Sequence, residues 1–231
     1  MSIVMSFGLD VSINPAEPQV LTKFLLAIAF LVELPLIIRK PKLPSKEKIF
    51  GIGFHKTGTT SLSQALELLG FSVTGPNGVR DPDIANNAPL LVRQLVHQFD
   101  AFQDNPWPIF YRELYEMFPD AKFILTYRRP KKWIGSQVRH FGKAETPMRQ
   151  WIYGKGCPEG NESVYLDRYK QHNQDVVEFF KKNKKKLLIM NLEENDGWEK
   201  LCPYLGVDTP VQPFPHANKA AVREARLSGQ N

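Results

Sequence analysis

Lys56 lies inside Gly53-Phe-His-Lys-Thr-Gly-Thr-Thr60, a glycine-spaced loop suited to holding phosphate. A G-x-x-x-x-G-K-[ST] nucleotide loop places its lysine directly after the second glycine. Here Thr59 holds that place, and the cation falls two residues before Gly58. Glycines let backbone N–H groups converge on an anion, and a helix starting near Thr59 aims its unpaired N–H groups and dipole at the same point. Thr57, Thr59, Thr60 and Ser61 add hydroxyl donors, and Lys56 is placed to touch a bridging or transferred oxygen. A second group answers the first. Arg128 ends an apolar run and Ser136 follows eight positions later, so a guanidinium fork and a hydroxyl can grip one further phosphate. The displaced lysine argues against an ordinary ATP or GTP enzyme.

These residues need strands that end in loops. Ile49–Phe54 reads as a buried strand running into the loop, and Thr60–Leu69 as a helix with Leu62, Ala65, Leu66 and Leu69 on one face. Phe71–Thr74 is a second strand closed by Gly75-Pro76, and 81–88 is turn-rich before a helix over Leu90–Phe99. Asp104-Asn-Pro106 follows as a strand end or tight turn. Ile109–Phe118 is helical, and Lys122–Tyr127 is the cleanest strand. Pro130 sits well in the first turn of the next helix. A long polar helix over Val164–Lys181 and a last strand over Leu187–Met190 complete the set. Strands alternating with helices imply βαβ units, hence an α/β, three-layer, P-loop-type fold with a mostly parallel sheet.

With 231 residues, 42% of them hydrophobic and 23% charged, the chain suits one such domain over 48–231. The net charge of +6 favours anionic ligands. Cys157 and Cys202 show no metal-ligand spacing and read as free thiols of a reducing compartment, so the expected location is cytoplasmic and no metal is expected. Residues 1–47 form a distinct extension. Val20–Ile38 is apolar but interrupted by Glu33 and Pro35, and Arg39, Lys40, Lys42, Lys46 and Lys48 make a basic flank around the Pro41–Pro44 linker. That pattern fits peripheral membrane contact through residues 20–40, or a helix packed on the domain, better than a transmembrane span. The lysine run 181–186 lacks interleaved aromatics and fits a helix end better than a nucleic-acid patch.

The two motifs resemble those of sulfotransferases that use 3′-phosphoadenosine 5′-phosphosulfate (PAPS), and look closest to the short bacterial-type members. Lys56, Gly58, Thr59 and Thr60 match the Lys-x-Gly-Thr-Thr loop that holds the 5′-phosphosulfate in that family, and Arg128 and Ser136 match its 3′-phosphate pair. The similarity covers roughly Lys48 to Gly206. It implies PAPS as co-substrate, adenosine 3′,5′-bisphosphate as product, no metal, and a small-molecule or glycan acceptor. Cytosolic members place a histidine in a His-Leu-Pro turn; Asp104 of Asp104-Asn105-Pro106 stands there and is the expected general base, with His55, a donor-loop residue beside Lys56, either its rival or a shaper of the loop. An Arg-Lys-Gly segment that clamps the 3′-phosphate in those members has no counterpart here, and Phe214–Lys219 is the candidate replacement. Lys143–Asn161 is a candidate acceptor-side lid. Trp107, Phe110, Tyr111 and Trp133 read as core before acceptor pocket, and Glu113, Glu116 and His140 as ordinary helix residues. Two other readings stand beside the enzyme. One is a P-loop nucleotide kinase with Asp104 serving Mg²⁺; the other is a non-catalytic binding module on the same fold.

Overall fold

The computed structural model describes residues 47–216 of the chain. The expectations for 20–40, for the Pro41–Pro44 linker and for 217–219 lie outside these residues. Five strands form one parallel sheet: β1 (Ile49–Gly51), β2 (Val73–Thr74), β3 (Ala101–Phe102), β4 (Lys122–Thr126) and β5 (Leu187–Met190). Their order is β2-β3-β1-β4-β5. Seven helices flank them among the described residues: α1 (Thr59–Leu68), α2 (Ile84–Leu95), α3 (Tyr111–Met117), α4 (Pro130–Phe141), α5 (Pro147–Tyr153), α6 (Glu162–Phe179) and α7 (Trp198–Leu205). The α/β class expected from the alternating pattern is the one observed.

The central strands are apolar on both faces because helices cover both. Successive residues of β1 and β4 point to opposite layers. Phe50, Phe102, Phe123 and Leu125 pack with Trp107, Tyr111, Val176 and Phe180 on one side. Ile49, Ala101 and Ile124 pack with Leu62, Ala65 and Leu66 of α1 and with Trp198 and Leu201 of α7 on the other. Phe50 has no exposed surface and stacks on Phe102 with ring centroids 5.0 Å apart. Truncating such a side chain costs roughly 3–5 kcal/mol. These layers fix β1 between β3 and β4, with Phe50 opposite both Phe102 and Phe123. The loops after β1, β3 and β4 therefore leave from one edge of the sheet. That edge is the usual ligand crevice of an open α/β sheet.

One local expectation needs correction. The turn-rich reading of 81–88 gives way to a helix that starts at Ile84 and carries Pro89 in its interior. Asp81 and Asp83 hold the start: Asn86 Nδ2 donates to Asp83 Oδ1 at 2.8 Å and Asn87 Nδ2 to Asp81 Oδ2 at 2.9 Å. Burial of Ile84, Ala88 and Val92 then outweighs the hydrogen bond lost at proline. No helix of the described residues is long and apolar enough to cross a membrane.

Candidate active site

The loop after β1 is held shut from several directions. Gly53 runs so close to the end of β4 that a Cβ there would meet Thr126 Oγ1 at 2.1 Å. The Thr57 hydroxyl donates to Phe54 O at 2.5 Å and lies 2.6 Å from Thr126 Oγ1. With its single proton given to Phe54, Thr57 accepts from Thr126, so its side chain closes the loop and offers no donor to a ligand. Gly58 has φ 109° and precedes α1, whose start has no side-chain cap. A helix start without a side-chain cap is the kind that can hold an anion through its backbone N–H groups. Lys56 itself is left-handed, with φ 66°, a conformation that costs a non-glycine residue on the order of 1 kcal/mol. Its carbonyl accepts from Arg128 Nη1 at 3.2 Å, which ties the loop crown to the segment after β4.

His55 has a different task from the one its place beside Lys56 suggests. It is 6% exposed, and both ring nitrogens are occupied: Asn105 Nδ2 lies 2.9 Å from Nδ1, and the Tyr153 hydroxyl 3.0 Å from Nε2. The Asn105 amide donates to Nδ1, so Nε2 carries the proton and donates to Tyr153. The His55 carbonyl accepts from Trp133 Nε1 at 2.9 Å and Gln137 Nε2 at 3.1 Å, both on α4. Burial, then the positive charges of Arg149 and Lys56, push its pKa down to about 3. His55 is therefore a neutral brace with no free nitrogen for a ligand or for base work. His172, on α6, braces the same loop from below. Its Nε2 is 2.8 Å from Ile52 O, its ring stacks on Phe54, and burial lowers its pKa to about 4.

Asp104 leaves β3 with φ 63°, a region that aspartate tolerates better than most residues. Its Oδ2 accepts from the Thr59 hydroxyl at 2.9 Å and its Oδ1 from the Asn105 N–H at 2.7 Å. Burial raises the carboxyl's pKa, while those two hydrogen bonds and the charge of Lys56 pull it part of the way back. Lys56, Thr59 and Asp104 are thus brought together across the β1 and β3 loops. Asn105 links this turn to His55, so the brace sets both groups. Thr60 is exposed at the start of α1, and Ser61 is buried in its first turn.

Arg128 is clamped through its backbone. The Tyr169 hydroxyl accepts from Arg128 N at 3.0 Å and donates to Arg128 O at 2.7 Å. Its Nη2 donates to Glu193 Oε1 at 2.5 Å, and its Nε is buried with no partner among the described residues. Ser136 is buried on α4 next to Gln137, and no hydrogen bond joins it to Arg128 among the described residues. Arg128 is joined to the Lys56 carbonyl, and Ser136 lies on α4, the helix that follows Arg128. Sequence reasoning missed Asn105, Tyr153, Tyr169, His172 and Glu193. Only Asn105, inside the Asp-Asn-Pro turn, carried a local signal.

Several remaining expectations resolve into packing. Trp107 and Trp133 are fully buried and Tyr111 nearly so, while Phe110 is partly exposed and rests near Trp151. His140, Glu113 and Glu116 are exposed, and both cysteines are free and buried. The 143–161 segment contains α5 and is tied to itself by Arg149, which donates to Gly156 O at 3.0 Å and Ala144 O at 2.5 Å. Phe214 packs on Trp198 with centroids 4.9 Å apart.

Comparison with known proteins fits this geometry. A family model described as a sulfotransferase domain matches residues 48–158 and 137–222. "Ava biosynthesis cluster protein M" of Aspergillus versicolor is 24% identical over an alignment that covers 73% of this chain and 80% of that protein. The loop, the Asp104 turn and the Arg128 segment all fall within the matched region, and the chain belongs to the sulfotransferase family.

Proposed function

We propose that this chain moves a sulfuryl group from PAPS to a hydroxyl or amine acceptor. The observation that carries the reading is the meeting of Lys56 and Asp104 at one sheet edge, with Asp104 hydrogen-bonded to Thr59 and Arg128 bonded to the Lys56 carbonyl. Backbone N–H groups at the start of α1 and the Lys56 ammonium suit a 5′-phosphosulfate. The buried Nε of Arg128, without a partner among the described residues, suits a further anionic oxygen, as a 3′-phosphate would supply. Ser136 is the second candidate for that phosphate.

Sulfuryl transfer makes a bond from the acceptor oxygen or nitrogen to sulfur and breaks the bond from sulfur to the 5′-phosphate oxygen. The products are a sulfated acceptor and adenosine 3′,5′-bisphosphate. Lys56 neutralises charge growing on the departing phosphate, and this kind of electrostatic stabilisation is the main protein contribution in related phosphoryl transfer. Asp104 takes the acceptor's proton through a lone pair not used by Thr59 or Asn105, and later returns it to solvent. Its raised pKa moves it toward the range where a base works well near neutral pH. The His55 brace keeps the loop and the Asp104 turn in one geometry.

Calorimetry with adenosine 3′,5′-bisphosphate, adenosine 5′-monophosphate and ATP tests the donor. The bisphosphate is expected to bind most tightly, and Lys56→Ala to lose sulfuryl transfer by about 10²–10³-fold. Tight ATP binding with indifference to the 3′-phosphate would sink the reading.

A further inference from the structure

The turn that follows β5 touches the candidate donor site at three points. Leu192 packs over Gly58, where a Cβ would meet its Cδ1 at 2.5 Å. Glu193 accepts from Arg128 Nη2 at 2.5 Å, and Glu194 accepts from Arg129 Nη2 at 2.6 Å. The turn rests on a fixed base. Asn191 accepts from Glu193 N at 3.2 Å through its side chain, Asn191 N donates to Asp196 Oδ2 at 2.7 Å, and Lys200 pairs with Asp196. A carboxylate is therefore held against a guanidinium that also carries a buried N–H with no partner among the described residues.

Resting on the donor reading above, we infer that Glu193 competes with the nucleotide's 3′-phosphate for Arg128 and so sets how tightly donor and product are held. A phosphate dianion reaching Arg128 Nε would lie on the same planar fork as the Glu193 carboxylate. Like charges on one guanidinium repel, so the carboxylate must yield or the phosphate binds weakly. An alternative partner is in reach: Lys132 Nζ stands 4.0 Å from Glu193 Oε2. The carboxylate passes from Arg128 to Lys132 as the phosphate arrives, and returns as the product leaves. Because the donor and the bisphosphate product both carry the 3′-phosphate, Glu193 weakens both. It lowers donor affinity and speeds product release, and it leaves a nucleotide without that phosphate unaffected.

The experiment is calorimetry of wild type, Glu193→Gln, Arg128→Ala and the double variant with adenosine 3′,5′-bisphosphate and adenosine 5′-monophosphate. Glu193 is partly exposed and glutamine has its shape, so the variant is expected to fold. Glu193→Gln should tighten the bisphosphate roughly tenfold and leave the monophosphate unchanged. Arg128→Ala should remove that gain in the double variant, a coupling that mere propping of the turn would not produce. Glu194→Gln, which removes a neighbouring negative charge, should change the bisphosphate less than twofold. Unchanged or weaker bisphosphate binding by Glu193→Gln, with the wild-type preference for the 3′-phosphate intact, overturns this inference alone. A wild type that ignores the 3′-phosphate overturns the donor reading, and this inference with it.

Discussion

Around Lys56, the His55 side is buried and neutral, whereas the Arg128 side is partly exposed and ionic. His55 is fixed by four neutral hydrogen bonds to Asn105, Tyr153, Trp133 and Gln137, and it has lost its ability to charge near neutral pH. Arg128 and Arg129 instead meet Glu193 and Glu194 through side chains that solvent reaches. Neutral buried bonds are costly to leave unmade and hold a geometry; exposed ion pairs are worth little and exchange readily. In the proposed reaction, the sulfur and the acceptor must be aligned closely on the first side, and a nucleotide must come and go on the second.

Asp104→Asn is the strongest way to break that contrast, because Asp104 is the one ionisable group on the braced side that the reaction is proposed to use. Turnover should fall by about 10²–10⁴-fold while nucleotide affinity stays near wild type. Stability should move the other way. Folding raises the Asp104 pKa, so its contribution is fully present below the unfolded value near 3.8 and is lost as pH rises through the folded value. At pH 7 the wild type bears that loss and the asparagine variant does not. Thermal melts should therefore show a higher Tm for Asp104→Asn at pH 7, with the gap closing as pH falls toward 3.8. Full activity in the variant would remove Asp104 from the mechanism.

The braced side was only half legible in the sequence. The spacing of Gly53, Lys56 and Gly58, and the Asp104-Asn-Pro turn, announce themselves because their chemistry is local: glycine for close approach, a turn for a strand end. The partners that fix them are distant in the chain. Tyr153 lies 98 residues from His55, and His172 lies 120 from Ile52. Tyr153 closes the short α5, and His172 on α6 reads as part of an ordinary polar helix, since nothing in a single sequence says which face meets the sheet edge. Glu193 was hidden for the same reason, as it becomes meaningful only once β5 is laid beside β4. The start of α2 was hidden by Pro89, a residue that usually ends a helix. Ser136, eight positions after Arg128, was legible from its spacing alone.

A smaller effect should sharpen the contrast through pH. His55 and His172 are held neutral, with pKa values near 3 and 4 against an ordinary 6.5. Their contribution to stability is present above 6.5 and is lost as pH falls from there toward those values. The loss should reach on the order of 3 kcal/mol per ring by pH 4, at about 1.4 kcal/mol per unit. Asp104 opposes it in the same window with a single group, so the histidines should dominate. Urea midpoints are expected to fall steadily below pH 6.5. His55→Gln should cost roughly 2–3 kcal/mol at pH 7 through the lost ring contacts, and should flatten the acid slope. A slope unchanged in that variant would mean that His55 is not the buried neutral group described above.

The smallest effect is expected on the ionic side, at Arg129 and Glu194. Their pair differs from Arg128 and Glu193 by one position in each segment, but both side chains are more than half exposed, at 64% and 51%. Arg129 Nε and Nη2 both reach Glu194 Oε1, so the geometry is good, yet solvent and side-chain entropy take back most of the gain. A double-mutant cycle with Arg129→Gln and Glu194→Gln should give a coupling below about 1 kcal/mol, and less still in 1 M salt, where charges are screened within about 3 Å. A coupling of several kcal/mol that survives high salt would mean that this side is as rigid as the His55 brace. The carboxylates of the turn would then be fixed supports, and an exchange at Arg128 would lose its physical basis.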